Sequence, residues 1–402
     1  MSELISFGEA IAVVAGGLAA SVLAYRYAER IRIPAPGLLL VAAAGLSDVF
    51  PELGRHLGTR TVERVAVVAL VVILFEGGMR VGHRRFREAL APIISLGVIG
   101  TLATAVLMTA VARLVLCFSW STSAVIGAAL APTDPAVMFS VFRRREVAGR
   151  SATILEGEAG ANDPVSIAMT IAAGEVAAGN SASVTHAGLD VVTELALGAA
   201  IGVGGGLLLL GALRRVTLPE ASFYPLWALA LAALVYGVAA TAHGSGFLAA
   251  YVAGVVVGDA EIPRRSVIVE FQRSLAGLGE IVVLVILGLT VNLASLGRDW
   301  LWLEGIALAS VLVFVARPLV VTALLLPMRL SVGERAFIAW SGLKGAVPIL
   351  LASFALLEHV EHADRIYGLV FVVVAVSVLV QGTTVPFAAS RLGVPLRPVA
   401  EG

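Results

Sequence analysis

Residues 123–138 read SAVIGAALAPTDPAVM, an apolar run interrupted by Pro132-Thr133-Asp134-Pro135. Pro135 has no N–H to donate and pushes Asp134 out of helical geometry, and Pro132 does the same to Ala131. The spacing predicts two half-helices joined by an extended peptide, with a carboxylate at the break. A simple kink with Asp134 turned to a neighbouring hydroxyl is the plainer alternative, and two prolines bracketing one acid argue against it. Apolar sequence continues on both sides, so the break falls in the middle of a segment covering about residues 120–142. In hydrocarbon, opposed helix ends are tolerated only where they line a polar site.

The whole chain has the composition that such a segment needs. Of 402 residues only 14% are charged and 59% are apolar, with mean hydropathy +0.96. Soluble domains carry about 25% charged residues, so this chain is built for a lipid bilayer. Its 28 cations balance 28 anions and form no basic face for nucleic acid, and the single Cys117 allows no internal disulfide or cysteine metal cluster. No motif for a cofactor is visible.

A helix needs about 20 apolar residues to cross the hydrocarbon. Thirteen apolar runs emerge, near 5–25, 34–47, 64–79, 89–112, 120–142, 152–175, 189–212, 223–242, 244–258, 269–292, 300–327, 334–357 and 366–390. The second and ninth are short, as buried, tilted or re-entrant segments are. Twenty arginines fall in alternate connections, among them Arg80, Arg84, Arg85 and Arg87, then Arg143, Arg144, Arg145 and Arg150. Only six fall in the others. Positive charge collects on the cytoplasmic side, which predicts an external N-terminus, a cytoplasmic C-terminus and residence in the cell (inner) membrane. No basic n-region precedes the first run, which reads as a retained span. Residues 1–391 read as one transmembrane domain and 392–402 as a short cytoplasmic tail. The histidines at 56, 83, 186, 243, 359 and 362 fall at or near span ends and read as solvated groups.

An ionised side chain at the bilayer centre costs about 2.5–3.5 kcal/mol on the insertion scale, so buried charges ask for a reason. The sixth span carries Glu156, Glu158, Asn162 and Asp163, then Pro164. Such acids can act as glue between helices, but three in one span without a basic residue of its own exceed that need. Arg317 lies too deep to reach either surface and calls for an anion, most economically a sixth-span carboxylate. Lys344, the only lysine, stands in Ser341-Gly342-Leu343-Lys344-Gly345-Ala346-Val347-Pro348, a second interrupted helix. There it can offset the negative end of a half-helix dipole, or serve in a buried pair that only fixes packing. The broken spans are seven positions apart, so spans one to six and eight to thirteen would be inverted repeats, an architecture of transporters.

At these residues the sequence resembles the monovalent cation/proton antiporters of the sodium/proton exchanger type, in the NhaP-like bacterial branch. The resemblance runs through Phe75-Glu76-Gly77-Gly78, Thr133-Asp134-Pro135, Glu158 through Asn162-Asp163-Pro164, Arg317-Pro318 and Gly342-Leu343-Lys344-Gly345. It implies an all-α polytopic fold with two crossing interrupted helices, a dimerisation domain, a moving six-helix core and a homodimer. It further implies that Thr133, Asp134 and Asp163 hold the cation while Glu158, Asn162, Arg317 and Lys344 support them. The chain departs from relatives at Ala159, where they usually carry a serine hydroxyl in the ion shell, and at Lys344, where exchangers commonly carry arginine.

The expected activity is exchange of a monovalent cation, Na+ before K+ or Li+, for H+, with no enzyme chemistry and no metal other than the transported ion. Burial opposes charge on Asp163 and a bound cation favours it, so proton and cation compete for one group. Asn162 cannot carry a second proton, which predicts electroneutral one-for-one exchange. Glu156 lies seven residues before Asp163 and either draws cations into a cytoplasmic funnel or pairs with Arg143, Arg144 or Arg145. A K+/H+ antiporter is the main alternative. A channel is another, set apart by flux without counter-transport. An intramembrane aspartyl protease is remote, since Val256-Val257-Gly258-Asp259 lacks the first glycine of that signature.

Overall fold

A computed structural model describes residues 2–31, 33–50, 58–140, 142, 145–179, 184–297 and 300–398. Arg143, Arg144 and His56 of the sequence reading lie outside them. Among the described residues the chain forms thirteen helical spans. They are α1 (Ser2–Ile31), α2 (Ala35–Val49), α3 (Thr59–Glu88), α4 (Leu90–Leu116), α5a and α5b (Trp120–Leu130 and Pro135–Ser140), and α6 (Arg150–Ala177). There follow α7 (Val184–Arg215), α8 (Phe223–Thr241), α9 (Gly246–Gly258), α10 (Arg265–Leu289), α11 (Leu301–Leu325), α12a and α12b (Val332–Trp340 and Ala346–Leu357), and α13 (Ala363–Arg391). Seven of them, α3, α4, α7, α8, α10, α11 and α13, are long and apolar enough to cross a membrane.

The short α9 is stable because protein rather than lipid surrounds it. Ser245 caps its start by accepting the Leu248 N–H, and Ala249, Ala250, Ala253, Gly254, Val257 and Gly258 are buried. Glycine lets α9 lie directly on α3. A Cβ on Gly78 would strike the Tyr251 carbonyl, and one on Gly254 the Phe75 carbonyl. This is the small-residue packing that membrane helices use where no hydrophobic force draws them together. Near the end of α3 the chain bends at Gly82, whose φ of 68° suits glycine. Asp259, the residue of the protease alternative, accepts the Arg84 N–H there at 2.8 Å and so caps this bend.

The helices pack in two groups. One joins α2, α3, α7, α8, α9 and α10, and the other joins α4, α5, α6, α11, α12 and α13. The helices α4, α11 and α13 each contain a widened π-helical turn, at 95–100, 312–316 and 377–381. Such turns re-aim side chains within otherwise regular helices. The last of them presents Ser377 and Gln381 to the break in α12.

The segment read as a tail returns to the body of the protein. Leu396–Pro398 (β2) pairs antiparallel with Arg145–Val147 (β1) ahead of α6, and the Ala148 N–H donates to the Pro395 carbonyl at 2.9 Å. The alternating pattern of a three-residue strand is too short to read in a sequence.

Candidate cation site

The broken helices cross at their breaks. The Asp134 N–H donates to the Leu343 carbonyl at 2.8 Å, so each extended peptide supplies a partner that the other lost by leaving its helix. The side chains then match the helix ends. Lys344 Nζ donates to the Ala131 and Pro132 carbonyls, at 3.0 and 2.7 Å, at the negative end of α5a. Asp134 accepts the Val137 N–H of α5b at 3.4 Å. Its carboxylate also lies against Gly345 at the start of α12b, in space that a Cβ there would occupy.

The carboxyl end of α12a is held from α13 and α11. Gln381 donates its amide to the Trp340 carbonyl and accepts the Ser377 hydroxyl at 3.0 Å, while Ser377 accepts the Lys344 N–H at 3.0 Å. Arg317 reaches the Ile338 carbonyl at 3.4 Å. Its guanidinium is otherwise engaged with Glu158 in a bidentate pair, Nη2 to Oε2 at 2.9 Å and Nη1 to Oε1, with both residues buried. That is the sixth-span partner the charge argument asks for. Gly342 leaves room for the guanidinium, since a Cβ would lie 2.5 Å from Nε.

A cavity of about 240 Å³ runs from the arginine-rich ends of α3, α6 and α10 to this crossing. Asp163, Asp134, Glu156 and Ala159 line it. Asp163 Oδ1 is buried and accepts no hydrogen bond among the described residues. Next to it, Pro164 has no N–H, so the Gly160 carbonyl four residues earlier lacks its intrahelical donor, and Gly160 also lines the cavity. Thr133 and Asn162 do not line it. They bond to each other behind it, Asn162 Nδ2 to Thr133 Oγ1 at 2.8 Å, which ties α6 to the break of α5. Glu158 and Arg317 likewise stand behind the cavity wall rather than in it.

Two acids on the wall facing α6 were not among the candidates read from the sequence. Glu76, in the Phe-Glu-Gly-Gly stretch of α3, holds Arg80, Nη2 to Oε2 at 2.8 Å and Nη2 to Oε1 at 2.9 Å. Glu280 of α10 lines the same cavity. Its signal was present, an acid in the apolar run 269–292, which is the argument that singled out Asp163. Gln381 and Ser377 gave no such signal, because neutral polar side chains are common in spans. Among the described residues no group of three or more His, Cys, Asp or Glu has the arrangement of a metal centre.

Comparison with known proteins bears on the family and the fold. The family model described as "Sodium/hydrogen exchanger, transmembrane" matches residues 17–391. A protein named K(+)/H(+) antiporter NhaP from Alkalimonas amylolytica is 37% identical over 358 residues, covering 88% of this chain and 62% of that protein. The K(+)/H(+) antiporter NhaP2 of Shewanella sp. strain ANA-3 is 33% identical over 385 residues, covering 94% of this chain and 66% of its own length. The chain thus spans less than two thirds of the length of these relatives. Among solved structures, the sodium proton antiporter MjNhaP1 of Methanocaldococcus jannaschii superposes with a TM-score of 0.79 at 24% identity. It covers 94% of this chain and 99% of its own, a likeness of fold.

Proposed function

Because the chain belongs to the sodium/hydrogen exchanger family, a family of multi-pass membrane transporters, we propose that it exchanges a monovalent cation for H+ at Asp163. The observation that carries this reading is the buried, unpartnered Asp163 Oδ1 at the end of a cavity beside two crossed helix breaks. A carboxylate there is costly to keep charged alone, and either a proton or a cation relieves the cost. Because one group takes one or the other, the two ions compete.

Hard monovalent cations take oxygen ligands, and Asp163, Asp134 and the Gly160 carbonyl offer them at the cavity. Thr133 and Asn162 hold Asp134 and Asp163 in register, and Thr133 can add its own oxygen when the helices shift. Glu158 and Arg317 neutralise each other and Lys344 offsets the exposed carbonyl end of α5a, so the breaks persist in a low-dielectric interior. Asn162 adds no titratable group, which supports one-for-one electroneutral exchange. Glu156, seven residues toward the arginine-rich end, lines the approach and fits a cytoplasmic funnel.

Alternating access follows if the group of α4, α5, α6, α11, α12 and α13 rocks as a unit against the other helices, which then form the scaffold and the homodimer contact. With the arginine-rich side cytoplasmic, the cavity opens inward.

The sequence reading favours sodium, and potassium gains support from a specific observation. Ala159 lines the cavity without a hydroxyl, and the two relatives above carry K(+)/H(+) antiporter names. Losing one ligand favours the larger, more weakly hydrated ion. Purified protein in proteoliposomes carrying a pH dye decides both points. Dequenching on addition of K+ or Na+ is the expected result, and no proton movement with any of Na+, K+ or Li+ over a pH series would remove the reading.

A further inference from the structure

We propose that Glu280 is a further cation-binding residue, a carboxylate on the wall facing Asp163 that captures the ion and sets its apparent affinity. The proposal rests on the exchange reading above. Depth is the first argument. Asp163 lies 13 residues into α6 from Arg150, and Glu280 lies 15 residues into α10 from Arg265. At 1.5 Å per residue these are about 20 and about 22 Å from the same arginine-rich side, so the two acids stand level. Glu156 and Arg273 each precede them by seven residues, about 10 Å nearer that side, and frame the approach.

The second argument is commitment. Glu76 is spent on Arg80 in a bidentate pair, and Glu158 on Arg317 behind the wall. Asp134 faces the starts of α5b and α12b, whose N–H groups already favour its charge. That leaves Asp163 and Glu280, one on each packing group, as the cavity carboxylates at this depth that neither an ion pair nor a helix start engages among the described residues. A cation arriving from the arginine-rich side passes between them. Glu280 then offers the charged oxygen that Ala159 does not, from the wall that stays in place while α6 moves.

Glu280→Gln keeps size and hydrogen-bonding capacity but removes the charge. In proteoliposomes we expect the apparent KM for both Na+ and K+ to rise about tenfold, the scale of one charge at several ångströms in a half-solvated site. The rate at saturating cation should stay close to wild type. Equilibrium binding of 22Na+ in detergent should weaken in parallel. An unchanged KM overturns the proposal, and so does a lost rate with unchanged KM, which marks a structural role. Should Glu280→Gln fail to fold by size-exclusion chromatography, Glu280→Asp keeps the charge but shortens its reach, and an intermediate KM is expected; wild-type KM there overturns the proposal. Absence of exchange in the wild type would instead defeat the exchange reading, and the two failures are distinct.

Discussion

The Asp134 N–H meets the Leu343 carbonyl at 2.8 Å, which makes the two broken helices one structural unit. Without this contact each extended peptide would leave backbone groups unpaired in a low-dielectric interior, at a cost of several kcal/mol each. Gly345 permits the approach, because its missing Cβ is where the Asp134 carboxylate sits. Gly345→Ala should therefore separate the breaks and abolish exchange while the protein still reaches the membrane. Flux in proteoliposomes, with expression checked on a size-exclusion column, tests this; wild-type flux would show that the contact is dispensable.

Glu158 and Arg317 form a buried pair, and breaking such a pair by removing one partner costs about 3–5 kcal/mol because the other charge is left behind. Glu158→Gln and Arg317→Met should each lower the melting temperature in detergent by many degrees. The double substitution should be less harmful than the sum of the two. Additive losses would mean that the residues act separately.

Asp163→Asn should reduce cation-driven proton flux to the level of empty vesicles without loss of folding. In the wild type the apparent cation KM should rise as pH falls, because protons then fill more of the Asp163 sites and must be displaced. A KM independent of pH would show that the two ions do not share that group.

Ala159→Ser restores a hydroxyl at the cavity wall one turn before Asp163. Apparent Na+ affinity should tighten severalfold relative to K+, read as the ratio of KM values. An unchanged ratio would mean that the position does not meet the ion.

Lys344 donates to the Ala131 and Pro132 carbonyls just past the end of α5a, and its N–H goes to Ser377. Lys344→Arg keeps the charge but replaces a compact ammonium with a planar fork that needs more room. Folding should survive with reduced transport, whereas Lys344→Met, which leaves the carbonyl end of α5a uncompensated, should lower thermal stability further. Equal stability in both would remove the charge argument.

Much of this arrangement was written in one dimension. Prolines at 132 and 135, and glycines and a proline around Lys344, determined where helices must break, because missing N–H groups and restricted φ act locally whatever surrounds them. Apolar runs and the arginine asymmetry determined thirteen spans for the same reason: transfer into lipid is a property of each segment. Which charges meet was settled only by packing. Sequence spacing placed Glu158 and Asp163 on one helix, but only the tertiary structure sends Glu158 behind the wall to Arg317 and leaves Asp163 in the cavity. It alone turns Lys344 to the end of a helix more than 200 residues earlier, and brings Glu280 level with Asp163. Those pairings depend on how two groups of helices lie against each other, and glycine contacts such as Gly78 on α9 set that distance. Composition counts each of these charges alike; the interior distinguishes them by what each can reach.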